Sequence, residues 1–351
     1  NYQLACRCAP QSRSVAVIKA DAYGHGALAC ARALETDVPA FAVACIEEAL
    51  SLREGGIKAP IVLLEGIFSA DELALVDQHR LWISVHSAWQ VEALLAYSPR
   101  QPIPVWLKVD SGMHRLGFSP EEATSVWQRL VDAPQVTALH LMSHFATADA
   151  KDPSYFNRQM NTLKALAAKL KAPLCLANSP ATLAWPAAHG DWNRPGVMLY
   201  GSDPLEVPNE IAQQLRPVMT LRSEIIALRE LAEGEQVGYS GRWKAKRPSK
   251  IAVVAAGYGD GYDRHAVDGT PVLVNGQRCP IAGKVSMDML TVDVTDVPDA
   301  AIGSEVVLWG TASNGSVLPV DEVARYCDTI SYTLLTGVLP RAPRRYHGAH
   351  V

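Results

Sequence analysis

The sequence predicts an α/β protein with two domains: a (β/α)₈ barrel of the TIM type over residues 1–214 and a mostly β domain over residues 215–351. Three observations support this prediction. Eight short apolar runs recur in the first two hundred residues, helical patterns separate most of them, and these patterns nearly disappear after residue 214. Alternating strands and helices indicate a parallel sheet, and eight units favour a closed barrel over an open doubly wound sheet.

The elements of the predicted barrel follow from apolar runs and helix signals. A hydroxyl followed three residues later by a carboxylate or amide predicts a capped helix start, and this pattern occurs at residues 69–72, 87–90 and 119–122. Gly55-Gly56 predicts the end of a helix over residues 47–54. The predicted strands cover residues 15–20, 41–44, 61–64, 82–85, 105–109, 136–143, 174–177 and 197–200.

The second domain has short strands separated by Gly, Pro, Asn and Asp turns. Asn275-Gly276 predicts a tight hairpin, because both residues tolerate positive φ. One short helix is predicted over residues 319–326. The predicted strands cover residues 219–227, 250–256, 271–274, 289–294 and 305–309.

Composition favours a small-molecule partner. Hydrophobic residues make up 48% and charged residues 19%, and the net charge is −4 with both signs dispersed, so neither nucleic acid nor a membrane surface is an expected partner. Seven dispersed cysteines argue against a disulfide framework and for the cytoplasm, and no metal site is predicted. No apolar run could span a membrane. The chain begins at Asn1, so a missing upstream segment or a removed signal peptide stays open.

Residues that leave the barrel strands are the candidates for chemistry, since barrel active sites lie at the carboxyl ends of the strands. Lys19 ends the first strand behind three apolar residues. An arbitrary lysine is usually just solvated. Within an apolar barrel mouth, however, burial favours the uncharged amine and makes it a nucleophile for carbonyls, which suggests Schiff-base chemistry.

Further polar residues follow the later strands. Lys108 and Asp110 face the same side of one strand, which taken alone is typical of a structural ion pair, and His144 taken alone is typical of a packed histidine. Ser179 follows a predicted helix cap, and Gly196 allows close backbone approach to a ligand. Barrels often bind phosphate after strands seven and eight, so a lysine opposite this region predicts a pyridoxal phosphate site.

Seven motifs occur in order along nearly the whole chain. They are Val17-Ile-Lys-Ala-Asp-Ala-Tyr-Gly-His-Gly26, residues 108–118, Ser143-His-Phe-Ala-Thr-Ala-Asp149, residues 194–201, Val237-Gly-Tyr-Ser240, Gly257-Tyr-Gly-Asp-Gly-Tyr262 and Ser286-Met-Asp288. With these motifs the chain resembles the bacterial alanine racemases, which use pyridoxal 5'-phosphate. This resemblance implies a barrel that binds the cofactor, a β domain, and supply of D-alanine for peptidoglycan or its catabolism.

The resemblance also implies roles for individual residues. Lys19 holds the cofactor and acts as the base on the D-alanine side, and Tyr239 is the opposite base. His144 stacks on the cofactor ring and is hydrogen-bonded towards Arg194, whose guanidinium faces the ring nitrogen. The implied substrate contacts are Arg115 and the Met287 N–H. Lys108 is carbamylated in many members of the family, and the carbamate holds Arg115 in place. The implied phosphate contacts are Tyr23, Ser179, Gly196, Val197 and Tyr332.

In the family, Tyr239 and Met287 reach the active site of the other subunit, so a homodimer with shared sites is implied. Three residues depart from common family patterns. Lys284 replaces an arginine at the entry channel, Cys175 replaces a histidine beside Arg194, and Gly259 replaces an alanine. Three alternatives remain: a broad-specificity amino-acid racemase, a decarboxylase with the same barrel and cofactor, and a non-catalytic pyridoxal phosphate carrier, against which the β domain argues.

Overall fold

The protein, represented by a computed structural model, is described over residues 1–348 and contains two compact units. The first comprises Asn1–Leu199, Asp203–Leu215 and the described residues from Tyr346 onward. The second comprises Tyr200–Ser202 and Arg216–Arg345. Within the described residues, every helix is too short or too polar for a membrane span, and no three His, Cys, Asp or Glu side chains are grouped as a metal site.

The first unit is a parallel barrel surrounded by helices, so the predicted fold class is confirmed. Its strands are β1 (Arg13–Ser14), β2 (Ala16–Val17), β3 (Phe41–Val43), β4 (Ile61–Leu63), β5 (Trp82–Val85), β6 (Ile103–Lys108), β7 (Val136–Met142), β8 (Leu174–Cys175) and β9 (Trp192–Asn193). Its helices are α1 (Tyr2–Cys8), α2 (Lys19–Gly24), α3 (Ala27–Leu34), α4 (Ile46–Glu54), α5 (Glu72–Gln78), α6 (Ala88–Ala96), α7 (Pro120–Val131), α8 (Ser154–Leu170) and α9 (Ser179–Ala184).

The barrel closes because β1 and β2 are two halves of one strand that pairs on both sides. β1 pairs in parallel with β9, and β2 pairs in parallel with β3. The residue between them, Val15, continues the pairing with the last strand, since its N–H donates to the Asn193 carbonyl at 2.8 Å. The nine segments therefore form eight barrel strands, in the order β1-β9-β8-β7-β6-β5-β4-β3-β2.

The eighth predicted strand was wrong in position. Residues 197–200 form a 3₁₀ helix, and the last barrel strand is instead β9. The N–H groups of Gly196 and Met198 donate to the Ser179 hydroxyl, at 2.9 and 3.2 Å, and not to a neighbouring strand. The run is apolar because it is buried, and burial alone does not distinguish a strand from a short helical segment.

Two of the three predicted capping boxes do not form. In α7, Ser119 accepts from the Glu122 N–H and the Glu122 carboxylate accepts from the Ser119 N–H. At α6, Gln90 binds the His86 N–H, and Ser87 makes no cap. At α5, the Glu72 carboxylate likewise binds one residue further back, at the Phe68 N–H. Helix α4 ends before Gly55-Gly56, as predicted.

The interior of the barrel contains an aromatic cluster. Trp106 packs against His140 and Trp192 with ring centroids 5.7 Å apart in each case, and Trp82 meets Trp192 edge-on at 5.9 Å. Trp106 and His140 are register partners on β6 and β7, so the pleat turns both to the same face.

The second unit is built on an antiparallel sheet in the order β15-β14-β17-β10-β13-β16, with β18 added to β17. Asn275 and Gly276 have φ values of 49° and 80° and form the predicted hairpin. Its strands are β10 (Leu221–Leu231), β11 (Gln236–Val237), β12 (Trp243–Lys244), β13 (Ser249–Val254), β14 (Pro271–Val274), β15 (Gln277–Pro280), β16 (Leu290–Asp293), β17 (Glu305–Thr311) and β18 (Val317–Leu318), and its helices are α10 (Val320–Tyr326) and α11 (Ser331–Thr336).

Candidate active site

Lys19 lies at the carboxyl end of the first barrel strand. β2 ends at Val17, the Ile18 N–H still donates to the Ala42 carbonyl at 2.9 Å, and Lys19 begins α2. Ile18 is buried, whereas Lys19 is half-buried. The lysine side chain therefore starts where the apolar wall of the barrel ends, at the face on which barrel enzymes bind their substrates.

The segment after Lys19 is left-handed. Ala20, Asp21, Ala22 and Tyr23 have φ values of 52° or 53°, a conformation that costs about 1–2 kcal/mol for each residue other than glycine. Its first N–H, on Ala20, donates to the Glu48 carboxylate at 2.6 Å. Sequence reasoning missed Glu48; its position in the first turn of a helix after a strand was the available signal.

Lys108 ends β6 and is buried. Burial, together with the charges of Arg194 and Arg115, lowers the pKa of its amine to about 8, although Glu65 opposes the shift. Among the described residues, the ammonium has one hydrogen bond, to the Leu64 carbonyl at 3.4 Å. The amine is therefore neutral much more often than that of an exposed lysine.

Asp110 shapes the loop after β6 and does not pair with Lys108, so the ion-pair interpretation was wrong. Its carboxylate accepts from the Gly112 N–H at 2.9 Å, from the His114 N–H at 3.0 Å and from His114 Nδ1 at 3.1 Å. These bonds order the loop that carries Arg115. Lys108, Arg115 and His144 line one small cavity beside this loop.

Arg194 is buried and held by four acceptors. Nη1 donates to the carbonyl and the sulfur of Cys175 at 2.8 and 2.9 Å, and Nη2 donates to the carbonyls of Ser143 and Leu176 at 2.6 and 3.4 Å. Nε takes part in none of these bonds. The hydrogen bond expected between His144 and Arg194 is not formed within residues 1–348, because the guanidinium binds the backbone of Ser143 beside that histidine.

His144 lies among the cationic residues that the sequence predicted for the site. Burial, together with the charges of Arg194, Arg115, Lys108 and Lys19, lowers the pKa of the His144 imidazole to about 3. The imidazole is therefore uncharged at neutral pH. Since these charges act on it together, the structure brings five predicted site residues to one end of the barrel.

Tyr23, Ser179 and the backbone at 196–198 come together beside them. Ser179 and Tyr23 are buried, and the Ser179 hydroxyl faces the N–H groups of Gly196 and Met198. A Cβ on residue 196 would lie 2.5 Å from the Tyr23 hydroxyl oxygen, so glycine is needed for this approach. Val197 is also buried here. Hydroxyl and backbone N–H groups of this kind suit a phosphate.

The remaining predicted residues lie in the second unit. Tyr239 begins a 3₁₀ turn after Gly238, which has φ 73°, and its side chain is 69% exposed. The Lys284 ammonium donates to the hydroxyl of Ser240, the residue after Tyr239, at 3.3 Å. Tyr332 lies in α11.

Met287 lies in an exposed loop whose backbone is held from one side. Its carbonyl accepts from the Gly259 N–H at 2.7 Å, while its own N–H donates no hydrogen bond within residues 1–348. Arg341 binds the same carbonyl and also Asp288. A Cβ on residue 259 would lie 2.7 Å from Arg341 Nη2, so glycine leaves space for this arginine.

Comparison with protein families gives two matches. The model "Alanine racemase, N-terminal domain" matches residues 1–204, and the model "Alanine racemase, C-terminal domain" matches residues 218–346. Together they span most of both structural units.

Individual proteins match over nearly the whole chain. An alanine racemase from Chromohalobacter salexigens is 71% identical over 99% of this chain and 95% of its own length. A catabolic alanine racemase from Pseudomonas putida is 51% identical over 99% of this chain and 96% of its own. The crystal structure of the biosynthetic alanine racemase from Pseudomonas aeruginosa superposes with a TM-score of 0.93 at 49% identity, covering 99% and 96% of the two chains.

Proposed function

The chain belongs to the alanine racemase family and interconverts L-alanine and D-alanine, and from this premise we propose that Lys19 and Tyr239 are its two catalytic bases. Inversion at the α-carbon requires that a proton leave one face and another arrive on the opposite face. With D-alanine, Lys19 Nζ removes the α-proton and Tyr239 Oη delivers its phenolic proton to the other face. The reverse reaction exchanges these roles.

Pyridoxal 5'-phosphate is the proposed cofactor, and the residues present fit it. Arg194 has Nε left for the ring nitrogen, because its other nitrogens bind the protein. The absence of a Cβ at Gly196 leaves room beside the Tyr23 hydroxyl, where Ser179 and backbone N–H groups would hold the phosphate. When bound, the cofactor supplies delocalisation of the electron pair left on the α-carbon.

Neither Arg194 nor His144 would transfer a proton to the ring nitrogen of the cofactor. A guanidinium holds its proton, so Arg194 donates a hydrogen bond without transferring a proton. The pKa of His144, near 3, keeps its imidazole neutral, so the histidine adds no charge. This arrangement favours return of the proton to the α-carbon over transamination or decarboxylation, which generally use a carboxylate at this position.

Arg115 and the free N–H of Met287 are the proposed ligands of the substrate carboxylate. Lys108 is proposed to carry a carbamate, formed when its neutral amine adds to carbon dioxide and loses a proton. The new negative charge would attract Arg115, whereas an ammonium would repel it. The pKa of about 8 at Lys108 supports this, because the neutral amine is the reactive form.

We also propose a homodimer in which Tyr239, Lys284 and Met287 serve the active site of the partner. The exposure of Tyr239 and Met287, at 69% and 54%, supports this, since apolar side chains of this size are commonly covered at interfaces. All seven cysteines are free thiols, which supports the cytoplasm as the compartment.

The function carried by Lys19 is tested by a chiral assay of the purified protein with alanine, serine, lysine and arginine. We expect turnover mainly of alanine, a visible absorbance band from lysine-bound pyridoxal phosphate, and loss of both in Lys19→Ala. The control Lys164→Ala removes an exposed lysine on α8 and leaves both unchanged. Turnover of lysine or arginine would favour a broad-specificity racemase, carbon dioxide release a decarboxylase, and cofactor binding without turnover a carrier.

A further inference from the structure

The left-handed turn after Lys19 must be held in its conformation by contacts with other parts of the chain. Four consecutive non-glycine residues, Ala20 to Tyr23, have positive φ, and such strain persists only where the surrounding structure over-determines it. Because this turn continues directly from Lys19, its conformation determines the direction in which the lysine leaves the strand.

Glu48 makes such a contact at the start of the turn. One carboxylate oxygen accepts from the Ala20 N–H at 2.6 Å, and the other accepts from the Ala44 N–H at 2.8 Å. Ala44 follows β3, the barrel strand paired with β2. A single carboxylate on α4 therefore joins the ends of two adjacent strands through charge-assisted hydrogen bonds.

The other hydrogen bonds of the turn involve residues further along the chain. The Asp21 carboxylate accepts from the Ala27 N–H at 2.7 Å, and the Ala22 N–H donates to the Ile18 carbonyl at 2.9 Å. Neither bond involves the peptide that directly follows Lys19. Within residues 1–348, Glu48 is the only side chain that binds the Ala20 N–H.

We propose that Glu48 is a positioning residue for Lys19. It fixes the Ala20 peptide, keeps the left-handed turn in place, and so presents the lysine amine in the direction in which it bonds the cofactor. The inference rests on the proposed function, since it assumes that Lys19 bonds pyridoxal phosphate. Glu48 takes no part in proton transfer and acts only through the backbone beside the lysine.

The test uses the full-length holoenzyme and the variants Glu48→Gln and Glu48→Ala. Glutamine keeps an oxygen for Ala20 but presents an amide nitrogen to the Ala44 N–H, so a graded effect is expected. The matched control is Glu47→Gln, which neutralises the exposed neighbouring carboxylate on the same helix. Each protein is dialysed to equilibrium against graded concentrations of pyridoxal phosphate, and the lysine-bound fraction is read from its visible absorbance.

We expect Glu48→Ala to weaken cofactor binding roughly tenfold or more. The loss of a hydrogen bond to a charged group typically changes an equilibrium constant by about this factor. Glu48→Gln should lose less, and Glu47→Gln should match the wild type. At saturating cofactor, kcat should fall in the Glu48 variants while KM for alanine changes little, since Arg115 lies on the separate loop after β6. If Glu48→Ala does not fold, the Glu48→Gln result decides.

Cofactor affinity in Glu48→Gln equal to that of Glu47→Gln would overturn the proposal. A fall in melting temperature with unchanged cofactor affinity would do so too, because it would assign Glu48 to stability alone. Failure of the proposed function looks different: the wild type itself would then show no lysine-bound absorbance and no racemisation.

Discussion

The amine of Lys108 is held close to its neutral form by its surroundings. Burial and the charges of Arg194 and Arg115 lower its pKa to about 8, so the fraction that can react with carbon dioxide rises as the pH passes through 8. We predict a carbamate signal in ¹³C NMR of the protein equilibrated with ¹³C-labelled carbon dioxide, growing from pH 7 to pH 9 at constant dissolved gas. Lys108→Arg should abolish it. A wild-type spectrum without the signal at pH 9 would exclude the carbamate.

His144 links the electrostatics of the site to folding stability. Its pKa is about 3 in the folded protein, against an ordinary value of 6.5, so the unfolded chain binds a proton that the folded chain rejects. The contribution of neutral His144 to folding stability is therefore fully present above pH 6.5 and is lost as the pH falls from 6.5 towards 3. For the cofactor-free protein, the loss attributable to His144 is about 2 kcal/mol between pH 7 and pH 5.

Urea unfolding at pH 7 and pH 5 checks this prediction. His144→Gln should lose less stability over this range than the wild type, by about the predicted 2 kcal/mol. His140, whose pKa is also lowered by burial, remains in both proteins and so cancels in the comparison. Equal pH dependence in the two proteins would contradict the low pKa of His144.

Most residues that the structure brings together were predicted because they follow strand ends. In a parallel barrel all strand ends meet, so Lys19 and Lys108 were candidates from chain order alone, whereas the role of Arg194 was implied only by the family resemblance. Glu48 was not, because its bond to Ala20 joins residues 28 positions apart and depends on a left-handed turn that no local propensity indicates. Cys175 was expected beside Arg194 only from the family resemblance, and the structure adds the hydrogen bond from Arg194 Nη1 to its sulfur.

The helix caps show that a sequence pattern can predict where a helix starts without determining which hydrogen bonds form there. Ser87 and Ser119 precede helices with the same spacing to an acceptor, yet only Ser119 caps its helix. At α6 the Gln90 side chain accepts a hydrogen bond from the N–H of His86, the residue before the cap. The Ser87 hydroxyl is buried without a partner in the described structure. The pattern therefore predicted the helix start correctly and the bonds incorrectly.

These two serines give a matched pair of variants. Ser119→Ala should lower the free energy of unfolding by about 1 kcal/mol, because it removes the acceptor of an orphan N–H. Ser87→Ala should leave this free energy unchanged or raise it, because its hydroxyl is already unsatisfied. Urea unfolding of both variants measures the difference. Equal destabilisation would show that Ser87 also acts as a cap.

The misplaced last strand has a similar cause. Its predicted residues are as buried as those of a barrel strand, but Pro195 lacks an N–H, and the N–H groups of the next residues bind Ser179. The true strand, Trp192–Asn193, is two residues long and has no apolar run of its own. Periodicity finds long strands, whereas a short strand is defined by its partners.

At the scale of the whole molecule, the count of strands and the change of texture after residue 214 were enough to predict a barrel followed by a β domain. Closure was predictable because eight parallel strands favour it. A homodimer was implied only by the family resemblance, because no feature of composition identifies which surface meets a second copy. Once the fold is known, the exposure of Tyr239 and Met287 supports the proposed dimer surface.

Mixing two inactive variants tests whether active sites are shared. Lys19→Ala and Tyr239→Phe each remove one of the proposed bases and should be inactive as homodimers. If each site combines Lys19 of one subunit with Tyr239 of its partner, every mixed dimer contains one intact site. Random reassociation of equal amounts should then restore about a quarter of the wild-type activity, since half of the dimers are mixed and each has one of two sites. Activity that stays at the level of the separate variants, while native mass spectrometry confirms mixed dimers, would show that both bases come from one chain.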